Sequence, residues 1–242
     1  MRQGIYTVAG NRALTEGVWE LRLLGDTGSI TAPGQFINIK LEGFFLRRPI
    51  SICDWSGEAL TVVYKVVGKG TEVLSRMGAG EKLDVLCGLG NGFDISKCGG
   101  RTVVAGGGAG VPPMYGLAKA LLRTGKSPTA LLGFNTKKEI FYEEEFRALG
   151  VETVVTTADG SYGRKGFVTE AFPEEYDYVC ACGPLPMLRA AYDAAATSGQ
   201  FSFEERMGCG FGACMGCSCK TKYGNKRICR DGPVLEKEEI IW

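Results

Sequence analysis

Between Cys209 and Cys219 the chain reads CGFGACMGCSC, so four cysteines and three glycines fall within eleven residues. Such a segment has too few apolar side chains to fold around a core of its own. Its glycines permit tight turns that bring thiolates together while backbone N–H groups face them. A bound group must therefore organise this part of the chain, and the thiolates indicate metal or redox chemistry.

The spacing of the cysteines favours an iron–sulfur cluster. Cys209, Cys214 and Cys217 follow a CxxxxCxxC pattern, and Cys229 offers a distant fourth thiol, which is the plant-type [2Fe–2S] arrangement. Structural zinc sites usually draw their ligands as two close pairs, and only one CxxC pair occurs here. Cys219 would need a tight local bend to share a metal pair with Cys217, two residues away. Zinc and a disulfide are the alternatives to the cluster.

Composition limits the chemistry that the other residues can perform. The 242 residues carry a net charge of +1 and are 45% hydrophobic, which predicts a globular protein without a nucleic-acid-binding surface. The absence of histidine excludes Cys/His zinc fingers, Rieske centres and a histidine general base, so catalysis must come from a cofactor. The chain shows neither a signal peptide nor a membrane span, and we expect a cytoplasmic protein without disulfides.

The first hundred residues have the pattern of a small antiparallel β-barrel. Segments such as GVWELRLLG, GQFINIKL and ALTVVYKVV alternate apolar and polar residues or form short buried runs, and glycine turns separate them. One short helix is predicted at TEVLSRM, between ALTVVYKVV and the last strand, EKLDVLCGLG.

From about Thr102 the pattern changes to alternating strands and helices. TVVAGG precedes VPPMYGLAKALLR, TALLGFN precedes EIFYEEEFRALG, and DYVCACG precedes PLPMLRAAYDAAATSG. This alternation is typical of a parallel sheet covered by helices. We therefore predict a multidomain β plus α/β protein, with a barrel domain over residues 1–98, an α/β nucleotide-binding domain over 99–200 and a cysteine-loop subdomain over 201–242.

The segment VVAGGGAGVPPMYG predicts a nucleotide-binding turn. Gly106, Gly107, Gly108 and Gly110 lie between an apolar strand and an amphipathic helix. Small residues let the backbone approach a diphosphate, and the helix N-terminus offers free N–H groups and a positive dipole end. A tight turn without a ligand is the alternative.

Other strand ends belong to the same predicted site. Cys182, Gly183 and Pro184 end the last strand of the pattern, at the edge where open α/β sheets bind ligands. Asn135 and Thr136 follow the second strand, where a ribose-binding acid usually stands. That position therefore does not decide between NAD and NADP.

The segment LRRPISI in the barrel half indicates a flavin site. Arg48 and Ser51 are three residues apart on an extended strand and can present a guanidinium and a hydroxyl to one phosphate. An edge strand with solvated arginines is the alternative. The flavin interpretation is favoured because a nucleotide-type sheet follows the barrel and GKGT adds a glycine turn beside a hydroxyl.

In this order, the barrel, RPIS, GGGAGVPP and CGP resemble the ferredoxin reductase superfamily. With the cysteine loop and CRDGPV added, the whole chain resembles the electron-transfer subunits of class 1B dihydroorotate dehydrogenases. One departure is CGLGNGF, from Cys87 to Phe93, where the family often reads GPLGNGF, so the turn remains but a proline is absent. The resemblance implies that FAD contacts Arg48, Pro49, Ile50, Ser51, Val63, Tyr64, Lys65, Gly70 and Thr71.

The resemblance also implies roles for single residues of the second half. Cys229 precedes RDGPV and matches the family's last cluster ligand, which leaves Cys219 as a shielded neighbour. Cys182 matches a cysteine near the nicotinamide and is the candidate active-site residue. Asp159 stands where NADP-preferring members tend to have Ser-Arg, and an acid there would repel a 2′-phosphate, so NAD is favoured.

The cofactors FAD, [2Fe–2S] and NAD together predict an electron-transfer subunit. NAD exchanges hydride and the cluster exchanges single electrons, so a flavin is needed between them. The resemblance implies an FMN-containing dihydroorotate dehydrogenase catalytic subunit as partner, in a heterotetramer, with electrons passing from dihydroorotate to NAD. The alternatives are a reductase subunit of a glutamate-synthase-like, ferredoxin or hydrogenase complex, and a zinc-stabilised scaffold protein.

Overall fold

The computed structural model describes residues 1–242, and its first half is a closed six-stranded antiparallel barrel. The strands follow one another around the barrel in the order β1-β2-β5-β4-β3-β6, and α1 lies between β5 and β6. This confirms the predicted barrel. The elements are β1 (Arg2–Thr15), β2 (Val18–Leu24), β3 (Phe36–Lys40), β4 (Arg48–Ser56), β5 (Ala59–Lys65), α1 (Lys69–Ser75) and β6 (Lys82–Leu89).

Alternating burial along the strands fills the barrel. On β2, Leu21 and Leu23 are fully buried while Arg22 between them is exposed. Successive side chains of a strand point to opposite faces, so the apolar set of each strand meets inside the barrel. The buried side chains form one apolar cluster that includes Tyr6 and Leu60.

The second half is a seven-stranded sheet in the order β10-β9-β8-β7-β11-β12-β15, and all neighbouring strands are parallel except β12 and β15. This confirms the predicted parallel α/β sheet. The elements are β7 (Thr102–Gly107), α2 (Val111–Arg123), β8 (Thr129–Phe134), α3 (Glu143–Ala148), β9 (Glu152–Thr157), β10 (Arg164–Lys165), β11 (Tyr178–Cys182), α4 (Leu185–Ala194), β12 (Gly199–Ser202), β13 (Ser218–Thr221), β14 (Gly224–Arg227) and β15 (Val234–Glu236).

One helix is shorter than the sequence pattern predicts. EIFYEEEFRALG forms a helix only from Glu143, after a 3-10 turn at Lys137–Glu139. Tyr142 adopts a left-handed backbone conformation with φ of 67°, which keeps it out of the helix. Its hydroxyl donates to Glu20 Oε2 of the barrel at 2.8 Å. The chain before α3 therefore connects the sheet to the barrel.

The C-terminal segment folds against the sheet. Its β13 and β14 form a hairpin, and its β15 pairs with β12 at the sheet edge. Ile228 and Cys229 are buried in the same apolar cluster as Phe201 and Leu235. The boundary expected between residues 200 and 201 falls inside β12. No helix of the protein has the length and apolar character needed to cross a bilayer.

Candidate functional site

A cavity of about 650 Å³ lies between the barrel and the α/β sheet. β5 supplies one wall, and the glycine turn after β7 and the start of α4 supply others. The structure thus brings together two groups of predicted site residues that are far apart in the sequence. Those that line the cavity are Val63, Tyr64, Lys65, Gly107, Gly108 and Pro184.

Close backbone approach explains three of the predicted glycines. A Cβ on Gly110 would lie 2.1 Å from the carbonyl oxygen of Cys182, and one on Gly106 would lie 2.8 Å from Val111 Cα. A Cβ on Gly183 would lie 3.2 Å from Gly107 N. The N-terminus of α2, with Pro112 and Pro113 in its first turn, is thereby held against the end of β11. This cradle of small residues at a helix N-terminus fits a diphosphate.

Cys182 is a buried thiol beside this cradle. Burial raises the pKa of Cys182 to about 12, so the side chain is neutral at physiological pH. It does not line the cavity wall, although Gly183 and Gly110 contact its backbone. The structure therefore places Cys182 next to the nucleotide turn as a neutral group.

The two arginines of LRRPISI have different surroundings. Arg47 donates both Nη atoms to the carboxylate of Asp84 at 3.0 Å, which lowers the pKa of Asp84. Arg48 forms no ion pair, and its guanidinium lies 4.7 Å from the centre of the Phe44 ring. A Cβ on Gly70 would lie 2.2 Å from Arg48 Nε, so the start of α1 packs directly on this side chain. Of the two arginines, Arg48 is thus the one without an acidic partner.

The other residues assigned to the flavin lie on the same two elements. Pro49 is exposed, Ser51 is half-buried and Ile50 points into the barrel core. The Thr71 hydroxyl accepts from the backbone N–H groups of Val67 and Gly68, which caps α1. None of these side chains forms part of the 650 Å³ cavity.

The loop before β13 arranges its thiols around backbone N–H groups. Cys209 Sγ accepts from the N–H groups of Ala213 and Cys214 at 3.2 and 3.4 Å. Burial opposes ionisation, but backbone N–H groups, that of Cys214 foremost, and the Cys214 thiol lower the pKa of Cys209 to about 6. Cys217 Sγ accepts from the N–H of Cys229 at 3.4 Å. Such a loop, with glycines at its turns, fits an anionic thiolate cluster.

Cys229 and Cys219 differ in their relation to this loop. Cys229 is 2% exposed and its sulfur is near Cys217 Sγ and the N–H of Gly212. Cys219 stands on β13 opposite Lys226, and no N–H of the loop donates to its sulfur. The structure therefore brings Cys209 together with Cys214, and Cys217 together with Cys229, without three of these thiols meeting as one metal site. Cys219 stands apart on the hairpin, and the assignment of the four cysteines as ligands of one cluster stays a prediction.

Asn38 connects β3, the neighbour of the strand that carries the predicted flavin residues, to the cysteine loop. It is 1% exposed and pairs with Pro49 across β3 and β4. Its Nδ2 donates to the carbonyl oxygen of Cys209 at 3.3 Å, and a Cβ on Gly210, whose φ is 78°, would lie 2.3 Å from Nδ2. No sequence motif includes Asn38, although a polar residue inside the buried run FINIK is a signal of a functional or structural contact.

Asp159, which the sequence favours as the acid that selects NAD, lies outside the cavity. Its Oδ1 accepts from the N–H and the hydroxyl of Ser161 at 2.9 and 2.7 Å, and the Ser161 hydroxyl foremost lowers the pKa of Asp159. A different acid, Glu139, lines the cavity. The signal in the sequence is an acid four residues after Asn135, within FNTKKE.

Two families match parts of this chain. The family described as the iron–sulfur cluster binding domain of dihydroorotate dehydrogenase B matches residues 204–241. The oxidoreductase NAD-binding domain matches residues 104–193. The two matches cover the cysteine loop and the α/β sheet described above.

Relatives that match over the whole chain show the family to which the protein belongs. The chain is 43% identical over 255 aligned positions to the dihydroorotate dehydrogenase B (NAD(+)) electron transfer subunit of Bacillus pumilus, covering 99% of this chain and 98% of the relative. The protein belongs to this family. The corresponding subunit of Geobacillus sp. is 42% identical, over 100% and 99% of the two chains. Membership in the dihydroorotate dehydrogenase B electron transfer subunits confirms the predicted oxidoreductase subunit and implies a catalytic subunit as its partner.

Solved structures of other oxidoreductases superpose on this chain. An NADH-dependent reduced ferredoxin-NADP oxidoreductase, studied for flavin-based electron bifurcation, superposes with a TM-score of 0.90 at 31% identity over 99% of this chain and 90% of that one. The cytochrome b5 reductase domain of Ulva prolifera nitrate reductase superposes with a TM-score of 0.65 at 20% identity, over 78% and 89%. The second likeness shows the shared fold of the barrel and the sheet in this dihydroorotate dehydrogenase B subunit.

Proposed function

We propose that the protein takes electrons from an FMN-containing dihydroorotate dehydrogenase catalytic subunit and delivers them to NAD, within a heterotetramer that serves pyrimidine synthesis. The bound groups are FAD at the barrel, a [2Fe–2S] cluster at the cysteine loop and NAD at the sheet. When bound, FAD supplies the conversion between single-electron and hydride transfer that the cluster and NAD require.

The observation that carries this proposal is the continuity of the three sites. Asn38 on β3 contacts the loop of Cys209, and its strand neighbour β4 carries Arg48. From the same barrel, β5 lines the cavity opposite the glycine turn of the sheet. Cofactors held at these places would be adjacent to one another, as electron transfer between them requires.

At the dinucleotide site, the chain's own groups bind and orient. Gly107 and Gly108 let the backbone at the start of α2 approach the diphosphate, and the helix dipole stabilises its charge. Cys182, Gly183 and Pro184 lie across this turn, where the nicotinamide would be placed against the barrel wall formed by Tyr64. Cys182 lies behind the cavity wall as a neutral thiol, so it supports the turn through its backbone and adds no charge to the site.

At the cluster site, four cysteinates supply the ligands and the backbone supplies the N–H groups. Two of these cysteines, Cys217 and Cys229, are buried, whereas Cys214 is exposed together with Met215 and Phe211. An exposed apolar surface beside a redox centre suits contact with another protein. This side of the loop is where we place the catalytic subunit.

Reconstitution with the catalytic subunit tests the function. Anaerobically purified protein is expected to contain FAD, iron and acid-labile sulfide, with two irons per chain. Adding dihydroorotate and the FMN-containing catalytic subunit should then produce NADH from NAD, while either subunit alone should not. Material without iron and sulfide, or a complex that oxidises dihydroorotate without forming NADH, would contradict the proposal.

The likeness to an NADH-dependent reduced ferredoxin-NADP oxidoreductase supports a second candidate, a reductase subunit that exchanges electrons with ferredoxin. The same preparation distinguishes the two. Reduction of ferredoxin by NADH without any response to dihydroorotate and its catalytic subunit would favour the second candidate.

Arg48→Ala is expected to weaken FAD retention by about 10- to 100-fold, because a charged hydrogen bond to a phosphate contributes about 1.5–3 kcal/mol. FAD content after gel filtration and the dissociation constant of FAD measure the change. The matched control is Arg76→Ala, which removes an exposed cation directly after α1 that forms an ion pair only with Glu72. Equal FAD affinity in the two variants would exclude Arg48 as a phosphate ligand.

A further inference from the structure

Glu139 lines the cavity between the barrel and the sheet but belongs to none of the sequence motifs described above. Glu139 ends the 3-10 turn Lys137–Glu139 after β8 and lines the cavity. Asn135 Nδ2 donates to Glu139 Oε2 at 2.9 Å, which holds the carboxylate beside the end of β8. No ion pair of the chain includes Glu139. Its charge is therefore available to a ligand.

The turn that carries Glu139 is fixed by the loop after β9. The backbone N–H of Lys137 donates to Ser161 Oγ at 2.7 Å. The Lys137 ammonium lies 5.6 Å from the centre of the Tyr162 ring. These contacts hold the backbone of the turn and keep the Lys137 ammonium over an aromatic ring, so the turn positions the Glu139 carboxylate, which no ion pair neutralises.

A second polar group of the cavity lacks a partner. Thr156 on β9 is 1% exposed, lines the cavity and has no hydrogen-bond partner for Oγ1. It stands opposite Gly133 of β8, the strand that leads to Asn135. Burying a hydroxyl without a partner is unfavourable, and a polar ligand in the cavity can offset that cost.

We propose that Glu139 binds the hydroxyls of the adenosine ribose and thereby selects NAD over NADP, with Asn135 and Thr156 as supporting contacts. A carboxylate accepts hydrogen bonds from the 2′- and 3′-hydroxyls. An ionised 2′-phosphate would bring negative charge to the same carboxylate and would offer it no donor. This inference rests on the proposed function of the cavity as the dinucleotide site.

Asp159 is the matched control for Glu139. It follows β9, as Glu139 follows β8, but its carboxylate bonds to Ser161 of its own loop and does not line the cavity. Substitution of Asp159 therefore removes a nearby negative charge without changing the cavity wall.

The test measures binding of ADP-ribose and 2′-phospho-ADP-ribose to the holoprotein by calorimetry. Wild type is expected to prefer ADP-ribose, and Glu139→Gln is expected to reduce that preference about tenfold or more. Asp159→Asn should keep the preference of the wild type. Thr156→Val should weaken both probes to a similar extent. FAD content and unfolding temperature of each variant show whether the fold is retained. Glu139→Asp keeps the negative charge and should therefore keep a preference for ADP-ribose.

The outcomes separate this inference from the proposed function. If the wild type binds neither probe, both the dinucleotide assignment of the cavity and the role of Glu139 are wrong. If ADP-ribose binds the wild type but Glu139→Gln keeps its preference, or weakens both probes equally, only the role of Glu139 is wrong. A loss of preference in Asp159→Asn alone would transfer the role to Asp159.

Discussion

Cys229→Ser is expected to leave the protein without its iron–sulfur cluster while the barrel and the seven-stranded sheet stay folded. Cys229 is buried, with its N–H donating to Cys217 Sγ at 3.4 Å. A serine hydroxyl fills nearly the same space but is a poor ligand for iron in a thiolate site. Iron, acid-labile sulfide and visible absorption of anaerobically purified protein measure the loss, and FAD content shows whether the barrel is intact.

The control for this variant is Cys219→Ser. Cys219 is half-buried on the β13–β14 hairpin, and no N–H of the cysteine loop donates to its sulfur. We expect this protein to keep its full iron and sulfide content. A full cluster in Cys229→Ser, together with cluster loss in Cys219→Ser, would make Cys219 the fourth ligand.

Gly110→Ala is expected to destabilise the protein by about 3 kcal/mol and to weaken dinucleotide binding with it. The new Cβ would lie 2.1 Å from the carbonyl oxygen of Cys182 and 2.6 Å from Gly183 N. Both neighbours are backbone atoms of the strand end, so no side chain can move aside. Relief requires α2 to shift away from β11, which opens the turn that we assign to the diphosphate.

Denaturant unfolding and calorimetric titration with ADP-ribose measure the two effects. Gly10→Ala is the matched control, because a Cβ there meets nothing within 4 Å. It should change stability by less than about 1 kcal/mol and leave dinucleotide binding unchanged. An unfolding midpoint of Gly110→Ala equal to that of the wild type would show that the helix can move without cost.

Local patterns were sufficient to predict the elements and their class. Period-two alternation in segments such as VWELRLL and the βαβ rhythm after Thr102 both depend on which face of an element is buried, and that is a property of neighbouring residues. The helix in EIFYEEEFRALG is the exception. Its first residues have helical spacing, but Tyr142 bonds to Glu20 of the barrel, and a contact over that distance has no local signal.

The glycine motif and the cysteine motif were identified for the same local reason. A short run of glycines beside a helix start, or of cysteines beside glycines, specifies chemistry through its own spacing. The acid that we propose for the ribose, Glu139, differs from Asp159, which the resemblance favoured, because both acids follow neighbouring strands in the sequence. Only the fold shows that Asp159 bonds to Ser161 while Glu139 lines the cavity.

The sequence by itself determined that this is a histidine-free, thiolate-rich chain with a barrel, a nucleotide-type sheet and a cluster loop, because each of those features depends on residues close together in the chain. Tertiary structure alone decided how the three parts meet. Asn38 joins β3 of the barrel to Cys209 across 171 residues, and β15 of the C-terminal segment completes the sheet of the preceding domain. Such contacts arise from packing between distant segments, whose energy no local spacing records.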